Sequence, residues 1–257
     1  MEKRISLKAE HPRDLSRQTH SPRLLPLFQI ILLLTPLFWP QFVPQQLHAQ
    51  AREPNPLIRV QLWVPTEEEP SRHDTARDGE ELYMPALRNL RNIAPFMLEG
   101  MLYGWNVTYT PSDAARRIDE YYECTSVTEV SPDDPAIKWT ESEITDTTTS
   151  CWVEYTRSDT QMQYRKWWSS VNIIKIQGKG SASIMLGPEG IKQAVTDAAK
   201  TAIRAYLQKT EKNKPKEMTG SILLVDESPR IYIDHGQYVA DLDFFLYVDK
   251  IDRYSYY

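Results

Sequence analysis

The chain of 257 residues is short of the side chains that catalytic and metal sites use most, with two Cys, nine Gly and five His. Three of the histidines lie before residue 51, which leaves His73 and His235. Zinc sites gather several Cys or His ligands at short spacings, and the nucleophile-elbow, dinucleotide-binding and P-loop motifs are all absent. We therefore expect no catalytic residue, no metal and no cofactor.

An excess of positive charge is also missing, since 30 Lys and Arg stand against 35 Asp and Glu and give a net charge of −5. A nucleic-acid-binding protein needs a basic surface to displace the counterions of the phosphates, so no nucleic-acid partner is expected. Aromatic residues are plentiful, with 14 Tyr, 7 Trp and 6 Phe, and 41% of all residues are hydrophobic. This composition is typical of a folded globular protein.

The N-terminal residues have the pattern of an export signal. Six basic residues lie within 1–23, and the uncharged stretch 24–51 follows, with its densest apolar run at 30–34. Four prolines interrupt this stretch, whereas a membrane-spanning helix needs about 20 apolar residues with few prolines. Small residues at the end of the stretch predict cleavage after Ala49 or Ala51.

Residues 1–51 are therefore predicted to be a signal peptide, and 52–257 a single extracytoplasmic domain, secreted or periplasmic. Cleavage would remove six positive and three negative charges and change the net charge from −5 to −8. No integral membrane span is then expected. An uncleaved signal that anchors the protein in the membrane is the alternative.

Cys124 and Cys151 are the two cysteines of the chain. In an oxidising compartment such a pair is most simply a disulfide, and two buried thiols are the alternative. The residues between them are rich in Thr, Ser, Asp and Pro, so we expect a long polar loop over 125–150 that the disulfide closes.

Hydrophobic periodicity predicts an α+β fold, a mainly antiparallel sheet with two longer helices packed on it. The expected elements are a strand at 56–65, a helix at 82–104 with Glu99 on its polar side, a strand at 104–111, a short helix at 112–123, antiparallel strands within 125–177, a helix beginning near Pro188, and a closing meander over 220–252. The buried face of the helix near Pro188 is largely alanine, so this helix should lie close to the sheet.

Two sets of side chains are candidates for function. Trp139, Trp152, Trp167 and Trp168 could form a surface that docks a protein or stacks on sugar rings, or they could fill the core beneath a long loop. Asp241, Asp243 and Asp249 could bind Ca²⁺ or supply paired carboxylates for hydrolysis, or they could simply be the solvated face of a strand.

Residues 174–208, IKIQGKGSASIMLGPEGIKQAVTDAAKTAIRAYLQ, resemble the strand, glycine turn and alanine-rich helix of bacterial envelope lipoproteins and periplasmic flagellar-assembly proteins. The chain departs from the lipoprotein pattern because it lacks the lipid-attachment cysteine. The resemblance implies an envelope or motility-associated scaffold and carries over no catalytic residue.

These observations together favour an exported, non-enzymatic protein that acts through a protein–protein surface, with an envelope protein as its partner. A glycan- or peptidoglycan-binding module that uses exposed Trp and Tyr is the first alternative. A carboxylate-dependent hydrolase is the second.

Overall fold

The computed structural model of the chain describes residues 55–66, 78–170, 173–225 and 229–255, with side chains in the first helix from residue 85 onward. The predicted signal peptide and its cleavage sites lie outside the described residues. The elements in chain order are β1 (Leu57–Pro65), α1 (Asp78–Leu102), β2 (Trp105–Thr110), β3 (Tyr121–Ser126), β4 (Ile137–Ile144), β5 (Thr148–Thr156), α2 (Asp159–Trp168), β6 (Ile174–Ser183), α3 (Pro188–Thr210), β7 (Glu217–Leu224), β8 (Arg230–Asp234) and β9 (Gln237–Asp252).

The strands form two antiparallel sheets. The smaller sheet has the order β1-β5-β4, and the larger has the order β3-β2-β7-β9-β6. β8 pairs with the first part of β9, and β7 pairs with the rest of it. β8 and β9 are joined by His235 and Gly236, whose φ angles of 47° and 74° are those of a two-residue type I′ hairpin turn. The predicted α+β class with mainly antiparallel sheets is confirmed.

Helix α1 is the centre of the core. It contacts β1 and β5 of the smaller sheet, β7 of the larger sheet, and α3. Residues 93–102 are all buried except the half-buried Phe96. A helix that is enclosed on every side must be apolar on every side, which these residues are apart from Glu99. No described helix has the length and apolar character that crossing a membrane requires.

Helix α3 lies against β6 and β9 of the larger sheet at unusually short distance. A Cβ atom added to Gly178 would lie 2.1 Å from the carbonyl oxygen of Ala198, and one added to Gly180 would lie 2.0 Å from the Ala198 nitrogen. The glycines of β6 and the alanines of α3 thus allow backbone to contact backbone. The expected close packing of the alanine face on a sheet is confirmed.

The short helix predicted at 112–123 is wrong. Asp113 Oδ1 accepts hydrogen bonds from the backbone nitrogens of Ala115 at 3.1 Å and Arg116 at 3.3 Å, which closes a turn instead of capping a helix. Arg117 has a φ of 57°, which ends any helical run. Residues 121–126 continue as strand β3.

The strand expected around Trp167 and Trp168 is also wrong, because residues 159–168 form helix α2. Ser158 and Gln161 exchange the two hydrogen bonds of a capping box, which starts the helix at Asp159. Residues 125–150 are not a long loop throughout, since β4 lies within them. Its Thr and Ile residues favour strand as readily as loop.

We predict that Gly180→Ala destabilises the protein by about 1–3 kcal/mol, because the added methyl group overlaps the α3 backbone and must push the helix away from the sheet. Urea unfolding followed by circular dichroism measures the change. Ser181→Ala is the control, since Ser181 is the next residue of the strand and is exposed. Equal stability of both variants would show that the contact is not as close as described.

Candidate functional site

The four candidate tryptophans do not form one surface. Trp139 on β4 lies opposite Val153 and packs against the core, whereas Trp152 on β5 lies opposite Thr140 on the other face of the smaller sheet. Trp168 is only 1% exposed. The expectation of a shared surface is therefore wrong for Trp139 and Trp168. Trp139 shares a face with its partner Val153, and neighbouring residues of a strand face opposite sides, so Trp152 faces away from Trp139.

Trp167 belongs to a different group, which we call the aromatic patch: Tyr164, Trp167 and Tyr247. Trp167 is 45% exposed and Tyr247 is 41% exposed, and their ring centroids are 5.3 Å apart. Tyr164 stacks on Trp167 at 6.2 Å with an interplanar angle of 16°. Sequence reasoning missed Tyr164 and Tyr247, although the alternation along β9 places Tyr247 on the same face as Asp241 and Asp243.

Hydrogen bonds hold helix α2, and with it the aromatic patch, in place. The buried Gln161 donates through Nε2 to the hydroxyl oxygens of Tyr103 at 2.7 Å and Tyr155 at 3.2 Å. Tyr164 donates its hydroxyl to the carbonyl oxygen of Tyr103 at 3.1 Å. These bonds fix the helix and so hold the aromatic side chains in pre-ordered positions.

Arg165 attaches α2 to the larger sheet. Its Nη2 donates to the carbonyl oxygen of Val225 at 3.0 Å, and its guanidinium lies 5.0 Å from the ring centroid of Phe245. Phe245 and Tyr247 are alternate residues of β9 and share one face. The patch therefore extends from the helix onto the sheet.

Trp152 lines a separate cleft of about 220 Å³ where the smaller sheet meets β8. Trp63 lies on the opposite side of β1 from the buried Leu62 and donates its indole N–H to the carbonyl oxygen of Ile231 at 3.3 Å. The buried Ile93 and Ile191 also line the cleft. Its walls thus include two tryptophans from neighbouring strands.

The predicted disulfide is not formed, since both cysteines are free. Cys124 lies on β3 opposite Val107 in the larger sheet, whereas Cys151 lies on β5 opposite Leu62 in the smaller sheet. The two strands belong to different sheets. Burial raises the pKa of each thiol to about 11.

Two of the three carboxylates considered for hydrolysis, those of Asp241 and Asp243, are engaged in surface pairs. Asp243 forms an ion pair with Lys175 at 2.7 Å, and Asp241 accepts a hydrogen bond from Gln177 Nε2 at 3.3 Å. Asp249 is exposed. Within the described part of the chain, no three His, Cys, Asp or Glu side chains lie close enough to hold a metal ion.

Near the C-terminal end of β2, the side chains of Tyr109, Glu120 and Arg204 form an ionic network that links α3 to the larger sheet. Glu120 accepts hydrogen bonds from the Tyr109 hydroxyl at 2.7 Å and from Arg204 Nη2 at 2.5 Å. Partial burial by itself would raise the pKa of Glu120, but the hydrogen bonds from Tyr109 and Arg204 outweigh it and hold that pKa below its ordinary value. Burial and the bond to Glu120 raise the pKa of Tyr109.

Two clefts adjoin the loop between α3 and β7, which we call the lysine loop (residues 211–216). One has a volume of about 450 Å³ and contains the Tyr109–Glu120–Arg204 network. The other has a volume of about 310 Å³ and lies beside Arg253. Lys214 Nζ donates to the carbonyl oxygen of Ser112 at 2.7 Å, which holds the loop against the turn after β2.

Comparison with known proteins places the chain among relatives. The model of a protein family whose function is uncharacterised matches residues 46–254. The chain belongs to this family. The matched range contains every described strand and helix, and therefore also the aromatic patch and all three clefts.

An uncharacterized protein of Treponema pallidum (strain Nichols) is 28% identical over 200 residues, which cover 78% of this chain and 83% of that protein. No solved structure matches the chain significantly. Neither match names an envelope or flagellar-assembly protein, so that part of the resemblance stays a prediction.

We predict that both thiols are protected in the folded protein. At pH 8 a thiol whose pKa is about 11 is almost entirely protonated, and burial also blocks the reagent from Cys151. Ellman's reagent should react slowly with the native protein and should titrate two thiols per chain in urea without any reductant. If no thiol reacted in urea, the two cysteines would be joined by a disulfide after all, and the prediction would be wrong.

We predict that Glu120→Gln destabilises the protein at pH 7 by at most about 1 kcal/mol, since the ion pair is partly exposed. Because the pKa of Glu120 is lowered on folding, its contribution is full above the ordinary value of 4.5 and disappears as the pH falls through the folded value. Urea unfolding at several pH values should show the two proteins converging in acid. Glu143→Gln, at an exposed position of β4, is the control and should have the stability of the native protein at every pH. A difference between Glu120→Gln and the native protein that does not change with pH would contradict the account.

Proposed function

We propose that this is an exported, non-enzymatic protein that binds another protein through the aromatic patch. The observation that carries the proposal is the exposure of Trp167 and Tyr247 side by side on a helix and a strand that are both firmly held. Trp and Tyr contribute most to the energy of protein interfaces, and they do so from pre-ordered positions near the centre of the contact.

The exported location rests on the sequence of residues 1–51, with its basic start, apolar stretch and cleavage sites after Ala49 and Ala51. In that location the partner is a protein of the cell envelope. The resemblance of residues 174–208 to envelope and flagellar-assembly proteins supports the same setting, with motility as one context. An uncleaved signal would hold the patch near the membrane and leave the mode of binding unchanged.

A glycan-binding function is the second candidate, and the cleft of about 220 Å³ beside Trp63 and Trp152 favours it. Indole faces stack on sugar rings, and Gln61 supplies a polar group at the edge of this cleft. Peptidoglycan fragments that quench tryptophan fluorescence in the native chain, but not in Trp152→Ala, would support this function. Quenching lost in Trp167→Ala instead would assign the glycan to the aromatic patch.

We predict that Trp167→Ser combined with Tyr247→Ser removes the partner. Crosslinking in whole cells, followed by purification and mass spectrometry, should recover one envelope protein with the native chain and about tenfold less of it with the double variant. Met185→Ser is the control, because Met185 is 86% exposed and lies outside the patch. It should recover the partner at the native level.

The same purification measures the N-terminus of the protein, which we expect at Gln50 or Arg52.

Equal recovery of the partner with the double variant would exclude the patch as the binding surface. Recovery of no partner after crosslinking would contradict the protein–protein function itself.

A further inference from the structure

The two clefts beside the lysine loop contain more positive than negative charge. Their lining includes five cationic side chains and three carboxylates. The chain as a whole has a net charge of −5, and residues 52–257 have −8. The clefts are therefore a positive region on an acidic protein, and such a region attracts anions.

Each carboxylate in the clefts already binds an arginine. The pairs are Asp113–Arg116, Glu120–Arg204 and Glu211–Arg253. The Glu211 pair is bidentate, with distances of 2.7 and 2.8 Å. These arginine groups are occupied, so the surplus charge belongs to Lys212 and Lys214.

Lys212 and Lys214 line both clefts. Across the described ranges, no ion pair joins either lysine to an acidic side chain, and the one bond from Lys214 goes to a backbone carbonyl oxygen. The partial negative charge at the end of α3 does not account for both lysines, because that effect is confined to the last helical turn. Lys209 lies in that turn, whereas Lys212 and Lys214 follow the end of the helix at Thr210.

We propose that Lys212 and Lys214 bind the phosphate group of a ligand that occupies these clefts. The planar fork of arginine binds carboxylate and phosphate alike, whereas lysine binds phosphate as a compact point charge. Because the arginine forks here are already bound to acidic side chains, a ligand meets the two lysine charges, which attract a phosphate group of about −1.5 to −2 more strongly than a carboxylate of −1. Asn213 and Gln208 line the larger cleft and supply amide donors.

The clefts are large enough for more than an inorganic ion. Volumes of about 450 and 310 Å³ fall within the range of small-molecule sites, roughly 300–1,000 Å³. A phosphate ester of a soluble metabolite and the headgroup of an anionic lipid share the chemistry that the lysines recognise. Tyr247 of the aromatic patch pairs with Ser221 in the middle of β7, whereas the lysine loop ends just before β7 begins at Glu217. The two sites share no residue, so both can be occupied at once.

Isothermal titration of the full chain with tripolyphosphate at low salt tests the proposal. Lys212→Gln with Lys214→Gln should weaken binding about fivefold to tenfold, because two exposed charge contacts are lost. Lys138→Gln with Lys166→Gln removes the same charge from two exposed positions on β4 and α2 and should leave the affinity unchanged. Circular dichroism should show native folding in both double variants.

Two further arms identify the source of the phosphate. Sedimentation with phosphatidylglycerol vesicles that is lost in the Lys212/Lys214 variant would support the proposal and assign a lipid headgroup. Tripolyphosphate binding without vesicle binding would support it and assign a soluble phosphate ester. Absence of tripolyphosphate binding, equal weakening in both variants, or tighter binding of citrate than of tripolyphosphate would overturn it.

Discussion

The structure depends on the burial of one helix, α1, between two sheets. The apolar face of the three-stranded sheet must be shielded from water, and α1 covers β1 and β5 while it also packs on β7 and α3. The end of the helix is fixed by a buried carboxylate: Glu99 accepts hydrogen bonds from Ser126 Oγ at 2.5 Å and from the Val130 nitrogen at 2.9 Å. Gly104, with a φ of 78°, then turns the chain directly into β2.

Most of the apolar side chains are used in this core, and the candidate functional surfaces lie outside it. Helix α2 contributes only Gln161 and Trp168 as buried residues and presents Trp167 to solvent. The lysine loop lies beyond the last turn of α3, where its charges are not needed to end the helix. Residues that stabilise the fold and residues proposed to bind partners are thus largely different, so binding variants can be made without unfolding the protein.

The spacing of apolar residues and the composition were sufficient to predict β1, α1, β2, α3 and the closing meander, because the buried residues of these elements recur at regular intervals along the chain. They were insufficient where a local hydrogen bond decides the structure, as with Asp113 in its turn and Gln161 in its capping box. Glu99 was assigned to a solvated face, since its partners Ser126 and Val130 come from a segment distant in sequence. Of the aromatic patch only Trp167 was predicted, because Tyr247 meets Trp167 only through tertiary folding.

Hydrogen exchange of the free protein tests the central role of α1 most directly. If α1 joins both sheets into one cooperative core, the slowest amides of residues 93–102, β5 and β9 should exchange with one common free energy of opening, equal to that of global unfolding. The amides of α2 should exchange sooner. Exchange of β1, β4 and β5 at a distinctly lower free energy than β7 and β9 would show that the smaller sheet opens independently, which would contradict the account.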